Sequence, residues 1–269
     1  MAYRVDEESL TAVADAIREK SGTSEGLTFP EGFVQAVAGI QAGGDTENAL
    51  DVFIEEGIAE IVSDAREIRK YAFVNNEILK KVVFNKATKI NAYAFRSCKS
   101  LESVYFPEVV TVENNAFEEP TVFSNGVKVK EINKENFPKL QEIGSKSFAR
   151  AHVEKVHLPL VELVYSYAFS KCENLTECIF DSATEILNYA FETCKKLSKL
   201  VLKNDSVVSL KYENAFSGTP FASNGTGGTV YVPEALIESY KTASNWSTLY
   251  NAGTCNFVAI EGSEYDTTA

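Results

Sequence analysis

Cysteine and histidine are the side chains most able to bind a metal or attack a substrate, and this chain has five and two of them. Cys98, Cys172 and Cys194 each stand three residues after a phenylalanine: Phe95, Phe169 and Phe191. Three thiols at one recurring offset suggest metal ligation or disulfides. Yet there is no CxxC pair and the count is odd. If the offset marks one position of a repeat, Cys98 lies too far along the chain to meet Cys172. Only Cys172 and Cys194 become neighbours. A small buried site that cysteine fills as a compact hydrophobe is the simpler expectation, with free thiols. Cys178 takes an apolar strand position and Cys255 stands alone.

His152 and His157 have no cysteine or acid beside them at zinc-like spacing. Neither has a nucleophile motif around it. The glycine-rich "SNGTGG" lacks the Lys-Ser or Lys-Thr of a phosphate loop and reads as a turn before Val230. No catalytic residue, cofactor or metal site is therefore expected, and the chain is not read as an enzyme. Four Asn-x-Ser/Thr triplets, at Asn174, Asn204, Asn224 and Asn245, are read as coincidental.

The offsets of the cysteines lead to the elements that hold them. "INAYAFRSCKSLESVYFPEVVTV" from Ile90 returns as "ILNYAFETCKKLSKLVLKNDSVV" from Ile186. Anchored on phenylalanine, the units fall at Phe73, Phe95, Phe117, Phe148, Phe169, Phe191 and Phe216, with steps of 22, 22, 31, 21, 22 and 25. A period near 22 that survives small insertions signals a solenoid. Apolar residues recur six, nine, eleven and seventeen places after the anchor, as at Leu101, Val104, Phe106 and Val112. The positions at plus nine and plus eleven share one face of a strand. Stacked units bury that face, giving a parallel sheet on one side and turns or short helices on the other. The long step contains "EEPTVFSNGVKVKE", expected to bulge out as a loop.

The "AFxxCxxL" phrase over residues 55–220 resembles the BspA-like class of bacterial leucine-rich repeats. The resemblance implies a right-handed superhelix with a parallel sheet face, and a role in adhesion or protein interaction. The pattern departs after Phe117 and in the shortened unit after Phe148.

Residues 1–42 read as a helical hairpin. One helix is capped near Asp6 with Leu10, Val13 and Ile17 on its apolar stripe, and a second opens at Pro30 with Phe33 and Val37. This opening resembles a segment at the start of tail-associated proteins of phages and prophages of gut Firmicutes. It is a candidate docking element, for a larger particle or for homo-oligomers, and an assembly role through it is the alternative to binding by the sheet. Residues 43–54 are expected to be a linker and 221–260 a C-terminal cap. In that cap Val230 and Val232 continue the sheet, Pro233 opens a helix and Trp246 seals the last coil. The tail 261–269 has no apolar pattern and is expected to be loose.

The residue at plus ten lies between two core positions and faces outward. That row reads Val83, Tyr105, Asn136, His157, Ile179 and Val201. Apolar and aromatic side chains dominate where solvent favours polar ones; strand propensity alone can put Val and Ile at exposed positions, and a continuous row on a parallel sheet is also where a protein or cell-surface glycan would bind. The adjacent plus-eight row, with Lys81, Ser103, Lys155, Glu177 and Lys199, reads as mildly basic. The loop at 118–131 is the second candidate. Tyr71, Tyr93, Tyr167 and Tyr189 recur two before the anchor, a row expected to pack between coils rather than stack on sugars.

Net charge is -12, from 38 acidic and 26 basic residues, with no basic block, which excludes a nucleic-acid partner. No run reaches the ~20 apolar residues of a membrane helix. The start lacks the pattern of a secretory signal. The expectation is synthesis in the cytoplasm, with virion association as one fate.

Overall fold

The structure, a computed structural model, describes residues 50–55, 58–119 and 131–267. The expected hairpin, with Leu10, Val13, Ile17, Phe33 and Val37, lies outside these residues. So does nearly all of the 118–131 loop.

The repeats wind into a solenoid with strands on two of its sides. One side carries β2 (Ile58–Ser63), β4 (Leu79–Phe84) and β6 (Ser103–Tyr105), joined in parallel. It continues as β8 (Glu131–Ile132), β10 (Lys155–His157), β12 (Glu177–Phe180), β14 (Lys199–Leu202), β16 (Gly228–Val232) and β17 (Cys255–Ala259). Before them β1 (Leu50–Glu55) pairs antiparallel with β2, so the second half of the expected linker is a strand.

The opposite side was expected to hold turns or short helices. It is instead a second parallel sheet of two-residue strands: β3 (Glu67–Ile68), β5 (Lys89–Ile90), β7 (Thr111–Val112), β9 (Glu142–Ile143), β11 (Leu163–Val164), β13 (Glu185–Ile186) and β15 (Ser209–Leu210). Ile186 pairs with Leu210, not Val208, because the last unit is longer and shifts the count.

The "AF" turn forms the third side. Tyr71, Phe73 and Asn75 donate their N–H groups to the carbonyls of Ala92, Ala94 and Arg96 one coil on. The pattern recurs, so coils are bonded along the axis on all three sides. Turning the chain this tightly puts residues at two before and two after the anchor in the left-handed region. Tyr93, Tyr167 and Tyr189 lie at φ 57–61°, and Ser97, Lys171 and Thr193 at 57–62°.

Matching side chains meet between coils. The anchors stack as a ladder from Phe73 to Phe216, with centroids 5.1–5.7 Å apart and nearly parallel rings. Phe84, Phe106 and Phe137 form a second ladder, whose plus-eleven position passes to Leu158, Phe180 and Leu202 in later coils, all buried. Each buried phenylalanine contributes ~1.5–3 kcal/mol by area, and each stacked pair ~0.5–1.5 kcal/mol more.

All five cysteines are buried and free. The Sγ atoms of Cys98, Cys172 and Cys194 donate to the carbonyls of Phe73, Phe148 and Phe169, each on the preceding coil, at 3.0–3.2 Å. The position is therefore more than a hydrophobic hole: the thiol is a donor that serves the anchor of the neighbouring coil.

The cap uses short helices α1 (Ile237–Thr242) and α2 (Trp246–Asn251). Val208 would otherwise present bare backbone at the end of the stack. Its N–H bonds Tyr240 Oη at 2.9 Å and its carbonyl accepts from Trp246 Nε1 at 2.8 Å. Trp246 also packs on Phe216, ending the anchor ladder.

Candidate binding face

Alternation along each strand sends plus nine and plus eleven inward and plus eight and plus ten outward. Strand register aligns the outward residues into rows. Val83 pairs with Tyr105, and His157 with Ile179, Val201 and Tyr231 in succession. Tyr105 is 44% exposed and presents its ring to solvent. Val83, His157 and Ile179 are half-buried.

The structure corrects four sequence expectations here. Asn136 does not present its side chain in the row. Asn133 follows Ile132 as His157 follows Val156, so the coil carries extra residues between Ile132 and Phe137. Asn136 Oδ1 accepts from Asn133 N, and Nδ2 donates to Val104 O, so its amide is spent on backbone. The same irregularity interrupts the sheet between β6 and β8.

Val201 is fully buried, and residues 260–267 fold over the residues around it, Glu177, Lys199 and Tyr231. The tail expected to be loose is a strap. Tyr265, only 8% exposed, sets its ring against Tyr231 at 4.7 Å. Its hydroxyl donates to Glu177 Oε2 at 2.6 Å. Lys199 Nζ bonds Glu264 Oε1 at 2.7 Å. This contact raises the lysine and lowers the glutamate from their ordinary pKa values, each through the hydrogen bond to the other. Burial, then the hydrogen bond to Glu177, pushes the Tyr265 hydroxyl upward.

The plus-eight row is not a basic stripe. In register it reads Glu60, Lys81, Ser103, then Glu131, Lys155, Glu177, Lys199 and Thr229. Lys81 pairs with Glu60, and Lys155 lies 3.4 Å from Glu177. Acids on adjacent strands offset Lys81 and Lys155, and Glu264 of the strap offsets Lys199.

His157 Nε2 lies 3.2 Å from Asp181 Oδ1 on the next coil. That bond holds the Asp181 carboxyl below its ordinary range. The tyrosine row packs as two stacked pairs, Tyr71 on Tyr93 at 5.1 Å and Tyr167 on Tyr189 at 5.0 Å. On the second sheet a polar groove of 420 Å³ is lined by Lys89, Glu113, Glu142 and Tyr165, with Lys89 bonded to Glu113 at 2.6 Å. Among the described residues no three His, Cys, Asp or Glu side chains are grouped to hold a metal. No helix among them is long and apolar enough to cross a membrane.

With coils, ladders and face in place, the class is that of a leucine-rich repeat solenoid with parallel strands. The family model for the BspA type leucine rich repeat region, in six copies, matches residues 58–122 and 119–224. The chain belongs to this family. No curated protein sequence matches it. Among solved structures it is similar to the pneumococcal vaccine antigen PcpA, at 13% identity and TM-score 0.42 over 76% of this chain. The chain spans 41% of that protein's length. A leucine-rich repeat protein from Bacteroides ovatus is 16% identical with TM-score 0.32, over 80% of this chain and 76% of its own. A leucine rich cell surface protein from Faecalibacterium prausnitzii is 14% identical with TM-score 0.27, over 58% and 68%.

Proposed function

We propose that the chain is a non-enzymatic binding module that recognises a protein or glycan through the face of its first sheet. The observation that supports this is the outward row, where Tyr105, Val83 and Ile179 leave apolar surface on a rigid sheet. A solenoid fixes such side chains at one strand spacing, ~4.8 Å, so contacts are made without the cost of ordering the backbone. Tyr105 is the proposed anchor, since tyrosine gives large contact area with few rotatable bonds. In the finer form of this reading the module is carried on a phage or prophage tail and engages a bacterial surface molecule. The resemblance of its opening segment supports that form.

The test is a binding screen against bacterial cells, glycans and surface proteins, followed by the double variant Tyr105→Ala, His157→Ala. The variant should melt like the parent and lose most of its affinity for the ligand found. Undiminished binding would place the site elsewhere.

A further inference from the structure

The two ends of the first sheet carry the same outward side chains. At the C-terminal end the strap contacts Glu177, Lys199 and Tyr231, and register places Val201 and Thr229 beside them on β14 and β16. At the N-terminal end the corresponding positions on β2, β4 and β6 are Glu60, Lys81, Val83, Ser103 and Tyr105. Four of the five are identical in type and in relative position, and the fifth exchanges Thr for Ser. One set is covered: Val201 is inaccessible and Glu177 is 8% exposed. The other is more open: Tyr105 is 44% exposed, Val83 is only half-buried, and the Glu60 side chain keeps 28% of its surface against 10% for Glu177.

The covered set shows what such a set accepts. Glu264 gives a carboxylate to Lys199, Tyr265 gives its hydroxyl to Glu177, and its ring packs edge-on against Tyr231. The segment crosses the strands rather than pairing with them. Ile260 is held to Val232 beside β17, Glu264 reaches β14 and Tyr265 reaches β12. Recognition therefore uses side chains and requires no free strand edge.

We propose that Glu60, Lys81, Val83, Ser103 and Tyr105 form a second docking subsite, and that its occupant is an extended acidic peptide of a partner protein bearing adjacent Glu and Tyr. Lys81 would take the carboxylate, Glu60 the tyrosine hydroxyl, and Tyr105 the ring. This deepens the proposed function and rests on it, naming a peptide rather than a glycan as the ligand class. It is independent of the strap's own role, because the strap stays in place while the open subsite is used.

The probe is a fluorescent synthetic peptide with the sequence of residues 259–267, titrated against the full chain by anisotropy. Saturable binding of one peptide per chain is expected. Lys81→Gln and Tyr105→Ala, both changes of exposed side chains, should each weaken it by at least about tenfold. A peptide with its tyrosine replaced by alanine should lose binding by a similar factor. Glu264→Gln in the protein, which loosens the strap, should leave affinity at the open subsite unchanged. The proposal is overturned if the peptide fails to bind, or if binding is indifferent to both Lys81 and Tyr105. If the peptide fails while a glycan from the screen binds and is lost with Tyr105→Ala, the face is still the site and only the ligand class is wrong.

Discussion

Phe180 and Ile179 are neighbours on one strand, yet they belong to surfaces under opposite constraints. Phe180 continues an inner ladder in which every coil offers a large apolar group at the same place. Ile179 belongs to an outer row that reads Val, Tyr, Asn, His, Ile, Val and Tyr along the axis, from Val83 to Tyr231 with Asn133 third. Inside, each ring is wedged between the rings above and below, so a change in one coil costs its two neighbours as well. Outside, no such ladder forms: Tyr105 meets solvent, His157 an acid on the next coil, and Tyr231 the ring of the strap.

The largest blow to this contrast should come from the inner ladder. Phe95→Ala removes a ring stacked on both Phe73 and Phe117 and should cost ~3–5 kcal/mol in urea unfolding. In a solenoid the loss should be local at first, with amide exchange rising across residues 80–115. Unchanged exchange there would refute the stacking role.

A smaller effect is expected at the thiols. Cys194→Ala removes a buried group and its bond to Phe169 O, and should cost about 1 kcal/mol. Burial pushes Cys98 and Cys255 up to about 12, so at pH 8 almost none of either thiol is ionised in the folded chain. Labelling at that pH should be slow in the native protein. All five thiols should react on unfolding without reductant, and two or more found oxidised would contradict the packing assignment.

Thr193 tests the turn between those surfaces. A β-branched residue at φ 59° is strained, whereas asparagine tolerates that region. Thr193→Asn should raise stability by roughly 0.5–1 kcal/mol, part of the ~1–2 kcal/mol that a left-handed residue costs, seen as a higher melting temperature. A loss would mean that the threonine side chain contributes more than the backbone strain costs.

The outer row should be the least sensitive. Tyr105→Ala with His157→Ala should change stability by no more than about 0.5 kcal/mol, since one ring is exposed and the other makes one partly exposed side-chain hydrogen bond. A cost like that of Phe95→Ala would erase the distinction between the ladders.

The inner ladder was legible in the sequence because it depends on spacing alone, and phenylalanines recurring about every 22 residues place one ring at the same point of each coil. The thiol bonds were not, since spacing places a cysteine in the core without saying which carbonyl it faces. The strap was missed for a different reason. "EGSEYDTTA" has no periodicity, and Tyr265 finds Glu177 across 88 residues of sequence. The charge pairing of the plus-eight row was hidden by its two missing acids. Glu60 precedes the first anchor, and Glu131 falls in the coil whose extra residues broke the count. Asn136 was misplaced by that same break.

The bonds that join coils on three sides also make coil number a free variable. Duplicating or deleting one unit within the gene would lengthen or shorten the stack by a single strand spacing, ~4.8 Å, and leave the C-terminal cap and its strap intact. The separation between the filled and open ends is therefore graduated like a gauge, set in whole coils. A partner with two anchoring points would be matched or missed by recombination in the repeats, with no change to any residue that touches it.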